Sequence, residues 1–81
     1  MFLNTSDPQA AQYFAAAAAI AIGSIGPGLG IGLAVKGAME AIGRNPEAEG
    51  AVRTTLIIGA GLAEAVAIYA FVIALILIFA A

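Results

Sequence analysis

Two long stretches of this chain contain almost no charge, and that constrains its fold more than any other feature. Between Pro8 and Val35 there is no charged residue, and between Thr54 and Ala81 there is one. Each stretch is 28 residues long, about 42 Å as a helix at ~1.5 Å per residue. A hydrocarbon core of ~30 Å is crossed by about 20 apolar residues, so each stretch predicts a transmembrane helix with length to spare. Only 10% of all 81 residues are charged and 63% are hydrophobic, whereas an ordinary globular domain is about 25% charged. A chain this short could bury little of that apolar surface by folding in water.

Local signals divide the chain into two helices and a tight turn. Met1 to Asp7 reads as a short polar tail. Asp7 followed by Pro8 is a helix start, with the Asp side chain as N-cap and proline at the first position, where a missing N–H costs nothing. The alanine run Ala15 to Ala19 favours helix. The glycine-rich segment 23–32 would be a loop in a soluble protein. Within a membrane span it is expected to stay helical, because a loop there leaves backbone groups unpaired in hydrocarbon; Pro27 is expected to bend it. Lys36, Glu40 and Arg44 form one charged stripe at i, i+4, i+8 where the helix leaves the bilayer. Gly43 suits a helix stop, and Asn45-Pro46-Glu47 repeats the cap-then-proline start. Glu47 and Glu49 then fall in the first turn of the second helix, where its dipole favours negative charge.

The expected fold is therefore all-α: a two-helix antiparallel transmembrane hairpin forming a single membrane domain. The first helix covers about 8–43, the polar loop about 44–47 and the second helix about 48–79. All three basic residues, Lys36, Arg44 and Arg53, lie in or beside the loop. The positive-inside rule places that loop in the cytoplasm and both termini on the opposite side. A secretory signal is a poor reading of the first span, since its first basic residue, Lys36, follows the apolar run instead of preceding it. The net charge of −2 without a basic cluster points away from nucleic acid. The chain has no Cys or His, which removes disulfides, the usual soft-metal ligands and any nucleophile–base pair. The glycines fit neither GxGxxG nor a P-loop. The chain reads as a non-catalytic membrane protein without a metal or cofactor.

Two features carry chemistry. Glu64 follows ten uncharged residues from Thr54 and precedes seventeen more, which sets it about 5 Å from the middle of the stretch. An ionised carboxylate at that depth costs several kcal/mol, so the neutral form is favoured until a cation comes near; intramembrane carboxyls usually mark ion pathways, although a neutral glutamic acid can also simply hydrogen-bond helices together. The second feature is a glycine ladder. Gly26 with Gly30, and Gly28 with Gly32, make small-xxx-small steps, and Gly23, Gly30 and Gly37 recur every seventh residue. Such steps let backbones approach closely in lipid. Because they thin more than one face, they point to a packed oligomer and not to a single helix–helix pair. Folding the hairpin about 43–46 sets Glu64 level with residues 25–31. Gly61 and Ala67 leave room one turn either side. Tyr69 lies about 140° around the helix from Glu64, so its hydroxyl would meet the carboxyl across an interface between copies instead of within one helix.

Taken together, the glycine-rich first span, the loop Arg44-Asn45-Pro46-Glu47-Ala48-Glu49-Gly50 and the lone mid-span Glu64 resemble the c subunit of F-type ATP synthases. The resemblance covers all but the first dozen residues. It implies a homo-oligomeric ring, with the first helix inside and the second outside, in contact with membrane lipids and turning against an a subunit. Glu64 matches the ion-carrying carboxylate, opposite a fixed cation on that a subunit, with Tyr69 as a supporting hydrogen-bond partner. Gly26, Gly28, Gly30 and Gly32 match the ring-packing motif, and Arg44, Asn45 and Pro46 match the loop that meets the central stalk subunits. Sodium-carrying members have Gln in the glycine stretch and Ser or Thr just after the Glu. Here Ile31, Ala65 and Val66 stand at those positions and offer no side-chain oxygen, so the expected ion is H+ and not Na+. The lack of an Arg-rich transit peptide favours a bacterial plasma membrane, or else a chain encoded within an energy-coupling organelle. Two rival readings are a holin-like pore or anchor, which leaves Glu64 without a purpose, and the proteolipid of vacuolar-type rotary ATPases, whose commoner forms have four spans.

Overall fold

Helix-starting chemistry at Asp7-Pro8 sets the beginning of the first helix. In a computed structural model that describes residues 6–80, α1 runs Pro8–Gly23 and α2 runs Ile25–Arg44. The Asp7 carboxylate accepts the Gln9 amide at 3.0 Å, and the Asp7 carbonyl accepts the Ala11 amide at 2.9 Å. Most of the polar tail, residues 1–5, lies outside the described residues.

The first helix is interrupted once, at Ser24, where the sequence predicts one bent helix. Pro27 explains this. A proline has no N–H for the carbonyl four residues earlier, and its ring crowds that carbonyl. That carbonyl belongs to Gly23, the last residue of α1. The interruption is slight, because Ser24 keeps right-handed helical torsions. Its amide reaches the Ile20 carbonyl at 3.0 Å, and its own carbonyl accepts the Gly28 amide at 2.9 Å.

At the other end of α2, Asn45 is extended (φ −142°, ψ 84°) and the chain reverses through one 3-10 turn, Pro46–Ala48, into α3, Glu49–Phe79. Pro46 takes the expected first position, but the Asn45 side chain makes no capping hydrogen bond; the Ala48 amide bonds the Asn45 carbonyl at 3.0 Å instead. Glu49 pairs with Arg53 one turn on, with Arg53 Nε donating to Oε1 at 2.7 Å. Where α3 enters the apolar stretch, Thr54 directs its hydroxyl to the Gly50 carbonyl at 3.0 Å, which leaves that donor satisfied.

The result is an antiparallel hairpin 58 Å long and 9 Å thick. Both arms are long and apolar enough to cross a membrane: 37 residues from Pro8 to Arg44, and 34 from Pro46 to Phe79. The seam between them is made of small side chains. Ala16, Ala38 and Ala74 are buried, and so is Pro27. Large apolar side chains point outward instead; Ile22, Leu29, Leu33, Ile57 and Leu62 are each more than 60% exposed. A monomer in water rarely tolerates such a surface. In hydrocarbon, or against further protein, it is satisfied.

Register is tied at the open end by a polar contact. Gln12 Nε2 donates to the Leu77 carbonyl at 2.8 Å. The Ile76 carbonyl is taken by the Ala80 amide, so Gln12 serves the next carbonyl in the last turn, where helices run short of donors. Gln12→Ala should cost about 1 kcal/mol, the usual worth of one such bond. Amide exchange in the final turn of α3 should rise roughly fivefold by the same measure; an unchanged rate would mean that the contact holds nothing.

Candidate functional site

Glu64 sits in the middle third of α3, on a residue register set by two neighbours that touch the other arm. Ala63 and Val66 meet Gly26 and Pro27 across a shallow recess. This places the carboxyl beside the glycine ladder, at the depth expected from folding the hairpin about its loop. Proline and glycine on α2, and Ala63 with Ala65 on α3, give the site walls of low bulk. Glu64 itself lies on the exposed flank of the hairpin. Among the described residues it has no hydrogen-bond or ion-pair partner. The acid therefore faces outward from the hairpin, and no cation among the described residues reaches it. Lys36, Arg44 and Arg53 all lie toward the loop end of the rod.

Tyr69 is two-thirds exposed and shares no hydrogen bond with Glu64 within the chain. Their angular separation on one helix keeps the phenol away from the carboxyl. Ala65 and Val66 follow Glu64 directly along α3, and Ile31, Ala65 and Val66 carry no side-chain oxygen. The described residues contain no group of three or more His, Cys, Asp or Glu that could hold a metal ion.

The glycines separate into two kinds. At Gly26, Gly28, Gly30 and Gly32 an added Cβ would meet nothing within 4 Å among the described residues, so the described hairpin does not use their thinness. At Gly23 an added Cβ would stand 2.5 Å from the Ala70 Cβ. Among the described glycines it is thus Gly23 whose missing Cβ lets the other arm come close, and sequence reasoning noted it only as one member of a seven-residue spacing. The signal that would have singled it out is the register: the same folding that levels Glu64 with the ladder brings Gly23 opposite Ala70.

At the loop end, Arg44, Asn45 and Pro46 are all exposed at the tip of the rod. The stripe of Lys36, Glu40 and Arg44 stays open; among the described residues the ion pair present is Glu49 with Arg53. The tip therefore offers charged and amide groups to an outside surface.

Comparison with known proteins gives this geometry a context. The family model for the ATP synthase C subunit matches residues 14–77, which takes in both spans and the loop. The chain is 51% identical over 70 residues to the ATP synthase c subunit of Dehalococcoides mccartyi, covering 86% of this chain and 92% of that one. It is 54% identical over 72 residues to the second of the numbered ATP synthase c subunits of Cereibacter sphaeroides, covering 89% and 87%. It is 51% identical over 71 residues to the ATP synthase c subunit of Prochlorococcus marinus, covering 88% of each chain.

Proposed function

Because this chain belongs to the ATP synthase C subunit family and has two spans long and apolar enough to cross a membrane, we propose that it is a non-catalytic, proton-carrying rotor subunit. In this reading Glu64 takes up and releases one proton per passage through the stator, and identical copies form a ring that turns as it does so. The observation that carries the reading is the lone carboxyl at mid-span, placed on an exposed flank with no partner among the described residues. A structural hairpin or simple pore gives no reason to keep so costly a group in hydrocarbon.

The chemistry follows from solvation. While Glu64 faces lipid it stays neutral, which removes most of the penalty for crossing the apolar environment. Opposite a fixed cation on the a subunit the carboxylate becomes favourable, and the proton leaves through an aqueous half-channel. Reloading from the other half-channel neutralises the site, and the ring moves on. The membrane potential contributes about 2.3 kcal/mol per charge per 100 mV, too little for one proton to drive one ATP. A ring of identical sites sums several. Ile31, Ala65 and Val66 supply no side-chain oxygens, so H+, which needs only the carboxyl and a hydrogen-bond partner such as Tyr69 of a neighbouring copy, is favoured over Na+.

The remaining parts take roles around this site. Gly26, Gly28, Gly30 and Gly32, open in the single chain, are the faces on which neighbouring copies pack closely. Arg44, Asn45 and Pro46 face the central stalk subunits. The basic residues beside the loop place it in the cytoplasm, with both termini across the bacterial plasma membrane.

A hydrophobic carbodiimide tests the central claim, since it reacts with a protonated carboxyl in an apolar setting. It should label Glu64 and no other acid of the chain, and the labelling should slow as pH rises. Added Na+ should not protect the site. Labelling spread over Asp7, Glu40, Glu47 and Glu49, or protection by Na+, would overturn the assignment.

A further inference from the structure

The break at Ser24 leaves a backbone acceptor without its helical donor. Pro27 has no amide hydrogen, so the Gly23 carbonyl lacks the bond that an unbroken helix would give it. Its neighbour Ala21 is served by a side chain: the Ser24 hydroxyl donates to the Ala21 carbonyl at 3.2 Å. With its hydrogen committed there, the Ser24 oxygen has lone pairs to offer. Gly23 is half-buried against Ala70 and Ser24 is exposed. Both lie well inside the charge-free stretch from Pro8 to Val35. Irregular backbone at such depth persists only where protein or water satisfies it.

We infer that the Gly23 carbonyl and the Ser24 hydroxyl oxygen bind a water molecule inside the membrane span. Both groups accept, and water donates twice. Two polar partners are the fewest that hold a buried water, and here they are adjacent in sequence at one break. Among the described residues no side chain donates to the Gly23 carbonyl.

The position gives this water a use, which rests on the proton-carrying reading of Glu64. Gly23 faces Ala70, six residues along α3 from Glu64, or about 9 Å toward the termini. Tyr69, beside Ala70, brings a phenol to the same depth. The break is therefore a polar station on the terminal side of the carboxyl.

Water-edited solid-state NMR on the full-length protein in lipid vesicles tests the site. Labelling with ¹³C-carbonyl Gly and ¹⁵N Ser isolates the Gly23 carbonyl, because Gly23-Ser24 is the one Gly-Ser step in the chain. Labelling with ¹³C-carbonyl Val and ¹⁵N Ile isolates Val72, inside unbroken helix at similar depth. Water magnetisation should reach Gly23 several-fold faster than Val72. Pro27→Ala, which restores the missing N–H, should remove the difference, and Ser24→Ala should reduce it. Equal transfer to Gly23 and Val72 in the unsubstituted protein would overturn the inference, as would a difference that survives both substitutions. Neither result touches the carbodiimide test of Glu64, so the two ideas fail separately.

Discussion

Glu64→Gln is expected to leave the protein assembled in the membrane and to stop proton transport altogether. The amide has nearly the volume and shape of the neutral acid, and Glu64 makes no hydrogen bond or ion pair among the described residues that the substitution would break. What it lacks is a proton that can leave. Since a permanently neutral group gains nothing from a fixed cation opposite it, the coupling between charge and position disappears. Proton-driven ATP synthesis in inverted vesicles should fall to background, while the quantity and size of the oligomer on native gels stay unchanged. Loss of assembly would point to a hydrogen-bonding role between helices. Retained proton-coupled synthesis would sink the carrier mechanism. Glu64→Asp keeps the titrating group but draws it back by one methylene toward α3, so it should give slowed, not absent, transport.

Much of this architecture is legible in the sequence because membrane folding is governed by few terms. Two charge-poor stretches of 28 residues leave little choice but two spans, and a short polar connection makes them antiparallel. The start at Asp7 is equally local, one carboxylate and one proline, and it forms as expected. Asn45 is less so. Its side chain could cap a helix, but a 3-10 turn satisfies the backbone at that corner before the side chain is needed. The break at Ser24 lay between two rules that conflict, one that hydrocarbon enforces helix and another that proline removes a donor. Which wins depends on whether a local substitute exists, and the Ser24 hydroxyl is that substitute for Ala21. The glycine pattern was read by spacing alone. Spacing says which residues are thin but not what lies opposite, so it could not separate Gly23, pressed against Ala70, from the four glycines whose faces are open. Glu64 was conspicuous for the opposite reason: a carboxyl surrounded by apolar residues needs no partner to be noticed.

That division of the glycines has a measurable consequence, with Gly23→Ala expected to loosen the hairpin itself. Two effects compete. Alanine favours a helix over glycine by about 1 kcal/mol, which would stabilise α1. Against this, its Cβ would stand 2.5 Å from that of Ala70. Neither carbon is the end of a flexible side chain, so the helices must separate, and overpacking of this kind costs about 1–3 kcal/mol. Separation would also loosen the neighbouring seam at Ala16 and Ala74, which are buried, so the clash should win. Energy transfer between probes on the two open ends of the hairpin, followed through an SDS titration of the protein in mild detergent, should show an earlier midpoint for Gly23→Ala. Adding Ala70→Gly removes the opposing carbon and should restore most of the loss, leaving a coupling of at least about 1 kcal/mol between the sites. Gly28→Ala is the contrast. Its Cβ meets nothing within 4 Å among the described residues, so it should leave the hairpin midpoint unchanged or slightly raised. Its effect belongs to the packing of one copy on another, read as a loss of oligomer on native gels. An equal fall in hairpin stability for both substitutions would erase the distinction between the glycine that closes the hairpin and those that meet its neighbours.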